Sequence, residues 1–202
     1  MLNFELITKA EINSNHFPFF TVKDALLSKE FHPSLVSDFP NISKGGSFPL
    51  EAISPGKSIQ MLVKELQGSR MRKILEQKFQ VNLKDKPVVT TFRGYSRIKD
   101  GKIHSDSKTK IITVLIYLND QWNHKKGLLR LLKDNNNLKN YIEEIPATMG
   151  SLVAFKVTEN CWHGFQPYEG KRCSIQLNYL HESALSKHNF RHKLSSFFKK
   201  YS

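Results

Sequence analysis

Between Pro87 and Leu180 the chain breaks into short β-branched and aromatic runs, VVTTFRGY, TKIITVLIYLN, GLLRLLK, GSLVAFKV and KRCSIQLNY, separated by Gly, Asn, Asp and Pro. Runs this short and this regularly punctuated predict antiparallel strands of a sandwich or jelly roll rather than helices. Ahead of them, FPFFTV (17–22) reads as a strand, and Asp24 is placed to cap a short helix through ALLSKEF. Residues 40–57 read as loop. Ser58 is positioned as the N-cap of IQMLVKELQ, and MRKILEQKF follows as a second helix, with Ile59, Leu62, Leu66, Met71, Ile74, Leu75 and Phe79 forming apolar stripes. The tail LSKHNFRHKLSSFFKKYS repeats Phe190, Leu194, Phe197, Phe198 and Tyr201 at helical spacing. The expected class is therefore mainly β with flanking helices, α+β. One domain over residues 1–202 is expected, with helical support over about 1–86, the jelly-roll core over about 87–180 and a basic C-terminal helix over about 184–200.

Composition narrows the chemistry. Thirty-one Lys and Arg against 18 Asp and Glu leave a net charge of +13, which favours acidic partners and says nothing about fold. Two cysteines, Cys161 and Cys173, are too few for a disulfide framework and lack the paired spacing of a zinc site; free thiols in a reducing compartment are expected. MLNFELITKAEI has no basic start leading into a long apolar stretch, and no run approaches the ~18 apolar residues of a spanning helix. A soluble, cytoplasmic protein is the expectation.

The stretch GKIHSDSKTK places His104 and Asp106 two apart, just ahead of IITVLIYL. On an extended chain residues i and i+2 project from one face, so an imidazole and a carboxylate aim at one point. Alone the pair is a weak signal. His163, in CWHGF after a predicted strand, supplies a third ligand, and two histidines with one carboxylate form the facial triad of non-haem Fe(II) oxygenases. In the next strand, alternation sets Arg172, Ser174, Gln176 and Asn178 against Cys173, Ile175, Leu177 and Tyr179. The second set suits packing. The first suits a cavity that binds an acid, because a guanidinium meets a carboxylate through two parallel hydrogen bonds.

His104-Ser105-Asp106, IITVLIYLNDQW, GLLRLL, GSLVAF, CWHGF and Arg172 nine positions after His163 together resemble the 2-oxoglutarate/Fe(II) dioxygenases of the prolyl 4-hydroxylase type over roughly residues 87–180. GLLRLL departs from the family pattern by having Leu128 where relatives often carry a second glycine. The resemblance implies a double-stranded β-helix, with Fe(II) held by His104, Asp106 and His163 and the distal carboxylate of 2-oxoglutarate paired with Arg172. Tyr117 matches the family's tyrosine that hydrogen-bonds the cosubstrate. Tyr95 is a second, offset match; Gln176 assists beside Arg172, and Asn178 borders the substrate. The implied reaction couples decarboxylation of 2-oxoglutarate to succinate with O2-dependent hydroxylation of an unactivated C–H, with ascorbate as reductant. The substrate stays open between a protein residue such as proline and a small molecule or sugar.

Other features have plainer readings. SPGKS (54–58) lacks the earlier glycine of a phosphate-cradling loop and marks a helix start. His16, His32, His124, His181, His188 and His192 lack ligand spacing. Phe92, Arg93 and Arg97 either face an acidic substrate or are ordinary strand residues. The basic tail helix either packs its aromatic stripe on the domain or binds an anionic membrane surface or partner. A rival from another class is a noncatalytic basic jelly roll binding nucleic acid or anionic glycans, although no specific nucleic-acid motif is present.

Overall fold

The computed structural model describes residues 1–182. Nine strands form two antiparallel sheets: β1 (Phe19–Val22), β2 (Phe48–Pro49), β3 (Val88–Ser96), β4 (Lys110–Tyr117), β5 (Leu129–Leu132), β6 (Tyr141–Ile145), β7 (Leu152–Lys156), β8 (His163–Gly164) and β9 (Gly170–Leu180). The larger sheet runs β1-β7-β4-β9-β3-β2 and the smaller β6-β5-β8. Inward residues of both, among them Leu115, Leu129, Leu131, Val153 and Phe155, share one apolar cluster, so the sheets face each other as in a jelly roll. Four helices accompany them: α1 (Phe4–Lys9), α2 (His32–Asp38), α3 (Lys57–Gln67) and α4 (Ser69–Phe79).

The strand β4 reads IITVLIY without clean alternation because both of its faces are covered. Leu115 and Tyr117 turn toward the smaller sheet, while Ile112, Val114 and Ile116 join the cluster that packs on α3 and α4. The same division splits β9, with Cys173, Ile175, Leu177 and Tyr179 on the helical side. Ile59, Leu62, Leu66, Met71, Ile74, Leu75 and Phe79 supply the helices' half of that cluster, as their spacing predicts.

The front of the chain is more than helical support, because β1 and β2 become the two edges of the larger sheet. The residues 40–57, expected as loop, include β2 and a 3-10 turn at Leu50–Ala52. The helix expected after Asp24 starts later. Ala25 donates its N–H to Gly150, Leu26 bridges Leu2, and the helical turn opens at Lys29 with the Ser28 side chain accepting from Glu30. The short helix α1, which contributes only Ile7 as a fully buried residue, carries too weak a period to be read beforehand. Both cysteines are free and buried, as expected. The predicted basic helix over about 184–200 lies outside the described residues.

Ser58 is not the N-cap of α3. The helix begins at Lys57 after Gly56, and its end is satisfied from α2: the Asp38 carboxylate accepts the Ser58 N–H at 2.7 Å, and the Ser58 hydroxyl donates to Ser34. Hydrogen bonding to Ser58 lowers the Asp38 pKa. Asp38→Ala removes this tertiary cap, and urea unfolding is expected to show a lower midpoint than wild type.

Candidate metal centre and cosubstrate cavity

His104 lies in the connection between β3 and β4, and His163 opens β8. An isolated antiparallel bridge joins them, each backbone N–H donating to the other's carbonyl at 3.0 and 2.9 Å, which sets the imidazoles side by side with centroids 4.3 Å apart. Each ring turns Nδ1 to a carbonyl two residues back: His104 to Lys102 and His163 to Cys161, both at 2.8 Å. A carbonyl only accepts, so Nδ1 carries the proton and Nε2 is left to face a metal, the carbonyl contact fixing each ring's orientation.

Asp106 completes the cluster. Lys110 and Thr113, both on β4, donate to its two oxygens at 2.7 and 2.5 Å. Burial alone would raise its pKa, but Lys110, His163 and the two hydrogen bonds outweigh that and hold the carboxyl below its usual range. One ligand atom from each of His104, Asp106 and His163 lies within 4.8 Å of the others. Two imidazoles and a carboxylate clustered this closely fit a divalent iron and leave positions open for other ligands.

Burial, with His104 and Lys110 adding to it against the pull of Asp106, lowers the His163 pKa from 6.5 to about 4. A histidine whose folded pKa lies below its unfolded value destabilises the fold once the unfolded chain takes up the proton, so stability falls as pH drops from about 6.5 to about 4. In chelator, urea unfolding at pH 5 should therefore give a stability about 2 kcal/mol lower than at pH 7 from this group, and His163→Gln should flatten that slope.

The same cavity contains Arg172, only 4% exposed and without a carboxylate partner among the described residues. Its Nε donates to the Gly127 carbonyl at 2.8 Å and an Nη to the Tyr117 hydroxyl at 2.7 Å. The guanidinium also stacks 4.1 Å from the Phe165 ring centroid and 5.0 Å from that of Tyr117. Fixing an unpaired cation in a buried site costs several kcal/mol unless an anion joins it, so this arrangement suits an acid. Burial raises the pKa of Tyr117 against the pull of Arg172, and the phenol stays protonated. Next to Arg172, the buried Ser174 hydroxyl has no partner among the described residues.

Gln176 lines the cavity and donates to Asn178, which is buried beside it. Tyr95 is the exception among the expected site residues. The register between β3 and β9 shifts from Arg93↔Ser174 to Tyr95↔Lys171, and this bulge sends Tyr95 into an outer groove with Lys171 and Cys173, its hydroxyl 3.5 Å from Glu169. Arg93, two residues earlier, faces the cavity instead. Phe92 belongs to the helical-side core, and Arg97 is bound by Asp100. Lys110, Thr113 and Phe165 join the site through contacts that residue spacing does not reveal, apart from the i, i+2 spacing of His163 and Phe165.

Residues 91–180, which carry all of these cavity side chains, match the model of the 2OG-Fe(II) oxygenase superfamily. Over this stretch the chain resembles the 2OG-Fe(II) oxygenases, a match that supports an oxygenase enzyme with Fe(II) as cofactor and 2-oxoglutarate and O2 as cosubstrates. Among solved structures, the chain is similar to a prolyl-4-hydroxylase from Pseudomonas putida at 14% identity and TM-score 0.59, covering 89% of this chain and 97% of that one. It is also similar to the viral collagen prolyl hydroxylase of Paramecium Bursaria Chlorella virus-1 at 15% identity and TM-score 0.54, covering 81% and 96%. A third, IDO from Bacillus thuringiensis, aligns at 11% identity and TM-score 0.56, covering 84% and 91%. At these identities the likeness is one of fold, and the fold is that of the prolyl 4-hydroxylase type. No curated protein matches the chain in sequence.

Proposed function

We propose that the enzyme hydroxylates an unactivated C–H bond, with Fe(II) bound by His104, Asp106 and His163 and the distal carboxylate of 2-oxoglutarate held by Arg172 and Tyr117. The observation that carries this reading is that His104 and His163 of the three-ligand cluster line one cavity with a buried arginine that has no carboxylate partner among the described residues. When bound, the iron supplies the activation of O2 and the oxidising chemistry. The chain's own residues do the rest. His104 and His163 present Nε2 lone pairs, Lys110 and Thr113 fix Asp106, Arg172 orients the cosubstrate by its far end, and Leu115, Leu129 and Phe155 keep the interior dry.

The reaction yields succinate and CO2 together with the hydroxylated product. A proline side chain is the first substrate to test, because two of the similar structures are named as prolyl hydroxylases; small molecules and sugars follow. Ascorbate as the reductant that keeps iron ferrous belongs to the same reading. So does a reducing compartment, supported by the two buried free thiols. The test is anaerobic titration with Fe(II) and 2-oxoglutarate. A visible iron-to-keto-acid absorption band that needs both additions supports the reading, and its absence in folded protein overturns it.

A further inference from the structure

The cavity holds a second guanidinium that neither the metal cluster nor the cosubstrate accounts for. Arg93 on β3 faces inward beside Ser174, its cross-strand partner on β9, whose other neighbour in the same row is Tyr117 on β4. Unlike Arg172, it makes no hydrogen bond or salt bridge to any described residue. The one carboxylate acting on it, Asp100, is already held by Arg97, whose backbone N–H, Nε and Nη2 all donate to it. Arg93 thus points an uncompensated positive charge into the cavity, next to a second one on Arg172, and burial together with that neighbour lowers its pKa.

Two like charges facing one small space repel, and each requires a counter-charge when water is displaced. One distal carboxylate matches one of them. Arg172 is the fixed member: it is 4% exposed, clamped by Gly127 and Tyr117 and stacked on Phe165. Arg93 is only partly buried and unclamped. With Arg172 matched to the distal carboxylate, Arg93 is the cavity guanidinium left for a second anion.

We infer that Arg93 is a specificity-determining residue that pairs with an anionic group on the primary substrate, which is therefore an acid or an acidic segment rather than a neutral molecule. This rests on the proposed dioxygenase reading, and the test separates the two. The full chain, loaded anaerobically with Fe(II) and 2-oxoglutarate, is titrated with sodium sulfate as the probe anion, against sodium chloride at matched ionic strength. Binding is followed by calorimetry and by shifts of the iron-to-keto-acid band.

Saturable sulfate binding that leaves 2-oxoglutarate in place is expected for the wild type. Arg93→Met should weaken it at least tenfold while its affinity for 2-oxoglutarate stays within twofold, and Arg93→Lys should restore part of it because a point charge replaces a fork. Absent binding in the wild type, equal binding in Arg93→Met, or displacement of 2-oxoglutarate by sulfate would each overturn the inference. So would a tenfold loss of 2-oxoglutarate affinity in Arg93→Met, which would assign Arg93 to the cosubstrate. Failure of the band to form in the wild type at all sinks the dioxygenase reading itself, a result distinct from these.

Discussion

His163→Ala is expected to eliminate the iron-to-keto-acid band and to lower turnover by on the order of a thousandfold or more, because it removes one of the three proposed iron ligands. The effect should exceed that of replacing a residue that only hydrogen-bonds to a ligand, such as Thr113, for which losses of about 10–100-fold are usual. Removing the imidazole also leaves the Cys161 carbonyl without its Nδ1 partner and opens space beside Phe155. A folding control is therefore part of the measurement: far-UV circular dichroism and a urea midpoint, taken alongside Asp106→Asn, which keeps volume and removes charge. The backbone bridge to His104 does not depend on the side chain and should preserve the site's outline. A folded His163→Ala protein that still forms the band would show that the cluster is not the iron site.

The second large effect is expected at Arg172. Arg172→Met should weaken 2-oxoglutarate binding by about 100-fold, the scale of truncating one partner of a buried charge pair. Arg172→Lys should recover little. Lysine keeps the charge but cannot donate at once to Gly127, Tyr117 and a carboxylate in the fork geometry that the guanidinium uses. A second ligand makes the result specific. 2-Oxobutyrate has the chelating keto acid but no distal carboxylate, so its affinity should be weak and nearly equal in wild type and Arg172→Met. Equal losses for both ligands would instead mean that the substitution has disturbed the cavity as a whole. Unchanged 2-oxoglutarate affinity would remove Arg172 from the cosubstrate site.

Much of this site was legible in local spacing. His104 and Asp106 share a face because extended chains alternate, and Arg172, Ser174 and Gln176 do so for the same reason. The polar inward face of β9 marked a cavity because no apolar core tolerates such a row. The failures have a common cause. Tyr95 and Arg93 share a parity on β3, so alternation treats them alike, yet a bulge against β9 puts only Arg93 in the cavity. Ser58 has the residue type of a helix cap, but Asp38, twenty residues earlier, accepts its N–H. Bulges and long-range hydrogen bonds depend on which strand or helix lies alongside, and that is absent from any window of neighbouring residues.

By itself, the sequence determined the strand-rich class of the second half, the amphipathic faces of α3 and α4, the three candidate ligands and the arginine that matches an acid. Each follows from residue type and the period of an extended or helical chain, which are properties of the local backbone. Only the tertiary structure decided that His163 stands against His104 through a two-way backbone bridge and that Lys110 and Thr113 hold Asp106. It also decided that β1 and β2 close the edges of the larger sheet, and that Arg93 rather than Tyr95 enters the cavity. These depend on pairing between segments distant in the chain, where sheet register and packing select one partner among many that local chemistry allows.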